Sequence, residues 1–124
     1  MMNYIDDFSG KIAKHSYGKH KNDFLNQNFG YIIHINNRDD FKRHAVETLI
    51  DKNSSCFIVE IGVEKGTIHC YNKDSNTLIS IPGNGSPPTM YRPKERNHFE
   101  KKIYKTIDQQ GGKTPEIKNG IYEL

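Results

Sequence analysis

The chain has 124 residues, enough for one domain and too short for two. Hydrophobic residues make up 34% and charged residues 27%, a polar balance, yet seven Tyr and six Phe supply aromatic core material that a disordered chain lacks. The formal net charge is +3, no apolar run is long enough for a transmembrane helix, and the opening MMNYIDDFSG has no apolar core of a signal peptide.

In chain order, residues 3–29 read as helical pieces broken at Ser9-Gly10 and at Gly18, with Ile5, Phe8, Phe24 and Leu25 only weakly periodic. Residues 31–35, YIIHI, fit a short strand or a buried loop. Asn36 and Asn37 offer caps to a helix starting near Arg38 or Asp39, whose positive end suits Asp39 and Asp40. Phe41, Ala45 and Leu49 then recur at four-residue steps beside Val46 and Ile50, so this helix runs to about Lys52. After Ser55 the period changes to two, which predicts strands. Residues 56–63 place Phe57, Val59 and Ile61 on one face. A turn at Glu64-Lys65-Gly66 leads to a strand at 67–71, and a second turn at 72–76 leads to another at 77–81. Pro87 and Pro88 force an extended approach to a fourth strand, Thr89–Arg92, which Pro93 stops. A last helix spans about Lys94 to Gln109, with Phe99, Ile103 and Ile107 at four-residue steps, and the final dozen residues form a tail. This order predicts an α+β fold: amino-terminal helices on a small antiparallel sheet of about four strands, with a late helix.

The charges are clustered. Residues 11–21, KIAKHSYGKHK, carry Lys11, Lys14, Lys19 and Lys21 with His15 and His20 and no acid. Residues 92–105 carry Arg92, Lys94, Arg96, Lys101, Lys102 and Lys105 against Glu95 and Glu100. Two basic segments flanking an acidic middle suit a polyanionic ligand if folding brings them together. An ordinary Lys-rich solvated surface has the same composition.

No HExxH motif and no closely spaced Cys pair occurs, so no metal site is expected. Cys56 and Cys70 fall on neighbouring strands and are expected as two reduced core thiols. His34, His44, His69 and His98 read as structural or solvent-facing, with His44 on the polar side of its helix. His15 and His20 differ, because each follows a Lys with no carboxylate nearby. An imidazole titrates near neutrality, and a pair beside fixed cations suits proton transfer at a phosphodiester. The segment SPPTMYRPKE adds a second group. In a strand, Thr89 and Tyr91 share the open face while Met90 packs under the helices, and Arg92 and Lys94 leave at the strand exit, off the core. A hydroxyl, a phenol and two cations so grouped can bind a phosphate and stack a base.

AKHSYGKH at 13–20, NKDSNTLISIPGNG at 72–85 and TMYRP at 89–93, in this order, resemble the small toxin ribonucleases of the barnase–EndoU–colicin–RelE group. The likeness is greatest to the carboxy-terminal toxin domains of contact-dependent growth inhibition and related polymorphic toxins. Ser86-Pro87-Pro88, between the Gly-rich turn and the strand, departs from the pattern and shifts the match at Thr89 and Arg92 by a residue or two.

The resemblance implies a metal-independent, cofactor-free RNA endonuclease, commonly directed at tRNA. It implies delivery from a larger secreted effector into a target-cell cytoplasm, neutralisation by a cognate immunity protein, and a host translation factor as a candidate assisting partner. Such an enzyme uses the RNA 2′-hydroxyl as nucleophile and leaves a cyclic phosphate. It needs a base, an acid and cations for the developing charge. His20 or His15 would serve as base or acid, Arg92 and Lys19 would stabilise the transition state, and Thr89 would bond a phosphate oxygen. Tyr91 would stack a base or orient the phosphate, while Lys14, Lys19, Lys21, Lys94 and Arg96 would hold the RNA backbone. The alternative is a non-catalytic RNA- or protein-binding module, of the immunity or phage-encoded kind, using the same basic face.

Overall fold

The computed structural model describes residues 4–124 and places two helices on one face of an antiparallel sheet and a third helix over the other. Residues 1–3, which belong to the stretch expected to carry no signal peptide, lie outside the described residues. Helix α1 spans Tyr4–His20 and α2 spans Arg38–Ile50; strands β1 Ser54–Ile58, β2 Ile68–Asn72, β3 Thr77–Ile81 and β4 Thr89–Tyr91 follow, then α3 His98–Gln109 and β5 Lys118–Asn119. The sheet order is β4-β3-β2-β1-β5, every pairing antiparallel. The fold class is therefore the expected α+β, with five strands rather than four.

Helix α1 is continuous where breaks at Ser9-Gly10 and Gly18 were expected. Ile5, Ile12 and Ala13, with Phe8 beside them, form a stripe against the core, and this burial outweighs the roughly 1 kcal/mol that each helical glycine costs. Helix α2 begins as its caps predict. The Asn37 side chain accepts the Asp40 amide at 2.8 Å, and the Asp40 carboxylate accepts the Asn36 amide at 2.9 Å, so two otherwise orphaned donors are satisfied reciprocally. Residues 31–35 form a loop, not a strand, with Ile35 buried.

The period-two pattern of the strands sorts side chains between two cores. Cys56, Cys70, Ile79, Ile81 and Met90 face α1 and α2, while Phe57, Tyr71 and Leu78 face Phe99 and Ile103 of α3. Strand β1 stops at Ile58 rather than at residue 63. The Val59 amide still reaches Thr67, but the chain then turns, leaving Ile61 and Val63 exposed. Cys56 and Cys70 stand directly opposite in the β1–β2 register and are joined as a disulfide, in place of the two free thiols expected. The carboxy-terminal tail is also structured: β5 pairs with Ser55 and Cys56, and Ile121 enters the main core. No helix among the described residues is long and apolar enough to cross a membrane.

The segment between α1 and α2 is held by two residues of the sheet. Arg92 is only 2% exposed, and its guanidinium donates to the carbonyls of Phe24 (3.4 Å), Tyr31 (2.8 Å) and Ser75 (2.8 Å) while lying over the Phe24 ring. Asn76, in the left-handed region at φ 48°, donates to Phe29 (2.6 Å) and Pro93 (2.8 Å) carbonyls. Together they tie residues 24–31 to the β2–β3 turn and the exit of β4, which sets where the end of α1 lies.

Candidate functional site

Tyr91 is the centre of the site. It is the last residue of β4 and points to the α3 side of the sheet, opposite Met90, which is fully buried in the main core. Its hydroxyl lies 2.9 Å from Nε2 of His98, the first residue of α3. Its ring packs at 5.5 Å against the ring of His20, the last residue of α1. The end of α1, the end of β4 and the start of α3 thus meet at one tyrosine. Tyr91 and His98 border an open cleft of about 510 Å³, with Asp23, Arg92, Lys94, Glu95 and Lys101 also in its walls.

The electrostatics of this trio are differentiated. Burial raises the Tyr91 phenol to about 12, so it is neutral across the physiological range. Burial, and then the cations Lys102 and Lys101, hold His98 below the ordinary histidine value, which favours the neutral imidazole. His20 has its Nδ1 2.9 Å from the Asp23 carboxylate, which fixes the ring and directs Nε2 as the nitrogen for proton exchange. Asp23 sits in a short 3₁₀ turn, Lys21–Leu25, that follows α1 directly. In the cleft wall, Lys101 pairs with Glu95.

On the other side of Tyr91 a second cavity, of about 310 Å³, opens against the same face of the sheet. His69, Ser80, Thr89 and Lys102 line it. His69 and Ser80 are cross-strand partners, with Nδ1 and Oγ 2.8 Å apart. Burial first, and then Lys102, lower His69 to about 4, so it is a neutral hydrogen-bonding group there.

The residues proposed from sequence divide accordingly. Tyr91 and Lys94 lie in the cleft wall, His20 meets that wall through the Tyr91 ring and Asp23, and Thr89 lines the adjoining cavity. His15 and Lys14 do not reach it; they line a separate groove along α1. Lys21 places its ammonium 5.2 Å from the Tyr17 ring, Arg96 donates to the Lys73 carbonyl at 3.2 Å, and Lys19 is exposed near the end of α1.

Arg92 requires correction. It was expected off the core as a phosphate-binding cation, but it is buried on the Met90 side at the wall of the cleft, where Nη1 and Nη2 donate to three backbone carbonyls and Nε is left without a partner. Its role in the structure is to position the 24–31 segment. His44 was also misplaced. It faces the sheet rather than solvent, with Nε2 2.9 Å from the Thr77 hydroxyl and its ring against Phe24, and burial followed by Arg92 lowers it to about 4.

His98 is the residue of this cleft that the sequence reading assigned to the surface, among Lys and Glu. Its signal was positional. It lies seven residues beyond Tyr91, across a proline turn that sends the chain back over the strand it has just left. Among the described residues no three His, Cys, Asp or Glu side chains cluster as a metal site. No protein-family model matches this chain, and neither a curated protein nor a solved structure matches it.

Proposed function

We propose that this chain is a metal-independent RNA endonuclease that cleaves through the 2′-hydroxyl to a cyclic phosphate. The observation that carries the reading is the convergence of His20 and His98 on Tyr91, which stands in the wall of an open cleft with Lys94 and Lys101. The resemblance described above supports the narrower parts: tRNA as substrate, a toxin role, delivery from a larger secreted effector, and a cognate immunity protein.

The chemistry follows from the hydrogen-bond order. With His98 neutral and its proton on Nδ1, the Tyr91 phenol donates to His98 Nε2, leaving the phenolic oxygen to accept from the substrate. The 2′-hydroxyl passes its proton to the Tyr91 oxygen as Tyr91 passes its own to His98. Tyr91 therefore never becomes a free phenolate, which agrees with its raised pKa. The 2′-oxygen bonds to phosphorus, the bond to the 5′-oxygen breaks, and protonated His20, oriented by Asp23, supplies the proton that this leaving oxygen takes up. Lys94 and Lys101 offset the charge that builds on the phosphoryl oxygens.

The test is incubation of the purified protein with total tRNA, with and without excess EDTA. Discrete fragments ending in cyclic phosphate, formed in both conditions and lost in His98→Ala and His20→Ala variants that fold, are expected. Loss of cleavage on chelation with recovery on adding magnesium, or full activity in both variants, overturns the mechanism.

A further inference from the structure

Two cavities flank Tyr91, and a third continues from them. The cavity of His69, Ser80, Thr89 and Lys102 includes Pro82 in its wall, and Pro82 is also in the wall of a groove of about 490 Å³ along α1. One wall of that groove is apolar, from Phe8, Ile81, Pro87 and Pro88. The other is cationic, from Lys11, Lys14 and His15, which stand at i, i+3 and i+4 on one exposed stripe of α1. Among the described residues lining it there is no carboxylate. Lys11 does pair with Asp7 one turn back, at 3.4 Å, where both side chains are at least half exposed, so that pair is easily exchanged for another anion.

The repetition along this path identifies the kind of occupant. A ring stands in each wall, Tyr91 in the first two cavities and Phe8 in the third, and cations outnumber carboxylates throughout: Arg92, Lys94 and Lys101 against Asp23 and Glu95, then Lys65 and Lys102 against Glu64, then Lys11 and Lys14 against none among the lining residues. Stacking surfaces alternating with cations are what a flexible polynucleotide needs, because every nucleotide brings one base face and one phosphate. An acidic protein surface would supply the charge but no regular succession of planar groups.

We propose that the three cavities form one track for single-stranded RNA, in which the α1 groove holds nucleotides remote from the bond being cleaved. The proposal rests on the cleavage reading above and deepens it: the substrate is an extended unpaired segment rather than a dinucleotide. It also gives a place to His15 and Lys14, which the cleft does not use. They are binding groups, and His15 is no part of the proton transfer. The loop that forms the apolar wall is held to the sheet by its start, where the Gly83 amide donates to the Thr67 hydroxyl at 3.1 Å.

The experiment separates binding from cleavage. Fluorescein-labelled 2′-O-methyl oligonucleotides of mixed sequence, two, four and eight nucleotides long, cannot be cleaved, and their affinity is read by anisotropy over a salt series. Affinity is expected to rise at least tenfold from the dinucleotide to the octanucleotide. In Lys11→Ser/Lys14→Ser, checked for folding by circular dichroism, the gain should disappear and the log–log salt slope should fall by about 1.4 for two lost contacts to a single strand. Dinucleotide binding should be unchanged. Affinity independent of length, or a variant with the wild-type slope, overturns the track and leaves the α1 groove to a protein partner. Unmodified RNA run in parallel keeps the two readings distinct. Length-dependent binding without cleavage upholds the track and removes the catalytic reading; cleavage with flat length dependence does the reverse.

Discussion

The Tyr91 hydroxyl and His98 Nε2 are 2.9 Å apart, and this contact joins the edge strand of the sheet to the first turn of the helix that covers it. If the phenol relays a proton to His98, neither group works without the other. Tyr91→Phe keeps the ring against His20 and removes only the oxygen, so single-turnover cleavage should slow on the order of 10²-fold or more. His98→Ala should cost a similar factor. The double variant should be hardly slower than either single one, because both remove the same relay. Losses that simply multiply would show that the two residues act separately.

The pH profile should carry the mark of His98. Its pKa is lowered in the fold, so it stays neutral and able to accept a proton at pH values where an ordinary histidine is already charged. The acid limb of kcat/KM is therefore expected below pH 6.5, and it should be absent in His98→Ala. An acid limb above pH 6.5 would contradict the assignment.

Two histidines outside the cleft should govern acid stability. His44 and His69 are each lowered to about 4 by burial, against 6.5 in the unfolded chain. Between these values the unfolded chain binds the protons and the folded one does not. Stability is thus unaffected above pH 6.5 and falls as the pH drops toward 4, by on the order of 3 kcal/mol for each group. Urea titrations across this range should show the fall, and His44→Gln should flatten part of it. Identical pH dependence in that variant would mean that His44 does not contribute.

Arg92→Ala should unfold the protein more readily and leave no selective defect in chemistry. The substitution strands the carbonyls of Phe24, Tyr31 and Ser75 and empties a fully buried site, a loss of about 3 kcal/mol or more. Arg92→Lys should restore little, since one ammonium cannot span three divergent acceptors. The measure is the urea midpoint; a wild-type midpoint with lost cleavage would return Arg92 to the catalytic group.

Gly83→Ala tests the loop between the inner cavity and the α1 groove. A Cβ there would stand 2.3 Å from the Lys65 carbonyl oxygen and 2.6 Å from the Gly66 carbonyl carbon, both backbone atoms that cannot swing aside. The loop must shift, at a cost of about 1–3 kcal/mol. Octanucleotide binding should weaken more than dinucleotide binding. Equal weakening of both would place the effect outside the groove.

What the sequence determined by itself was whatever local chemistry decides. The capping asparagines and acids at 36–40 and the four-residue apolar steps placed α2 to within two residues. The change of period after Ser55, with turns rich in Asn, Asp, Ser and Gly, located the strands and put Met90 and Tyr91 on opposite faces. Tertiary packing decided the rest. It carried α1 through two glycines, because an apolar stripe that can be buried outweighs propensity. It ended β1 early, because pairing with β2 stops where the chain must turn back. At Arg92 strand alternation placed the cation on the same side as Met90, but nothing local indicated that three carbonyls waited there. Those acceptors lie 17, 61 and 68 residues away in the chain. His98 went unrecognised for the same reason. Its partner Tyr91 is near in sequence, but the contact exists only because α3 folds back over the sheet, and His20 reaches the same tyrosine from the opposite end of the chain. Convergence of this kind is a property of topology, which side-chain spacing does not encode.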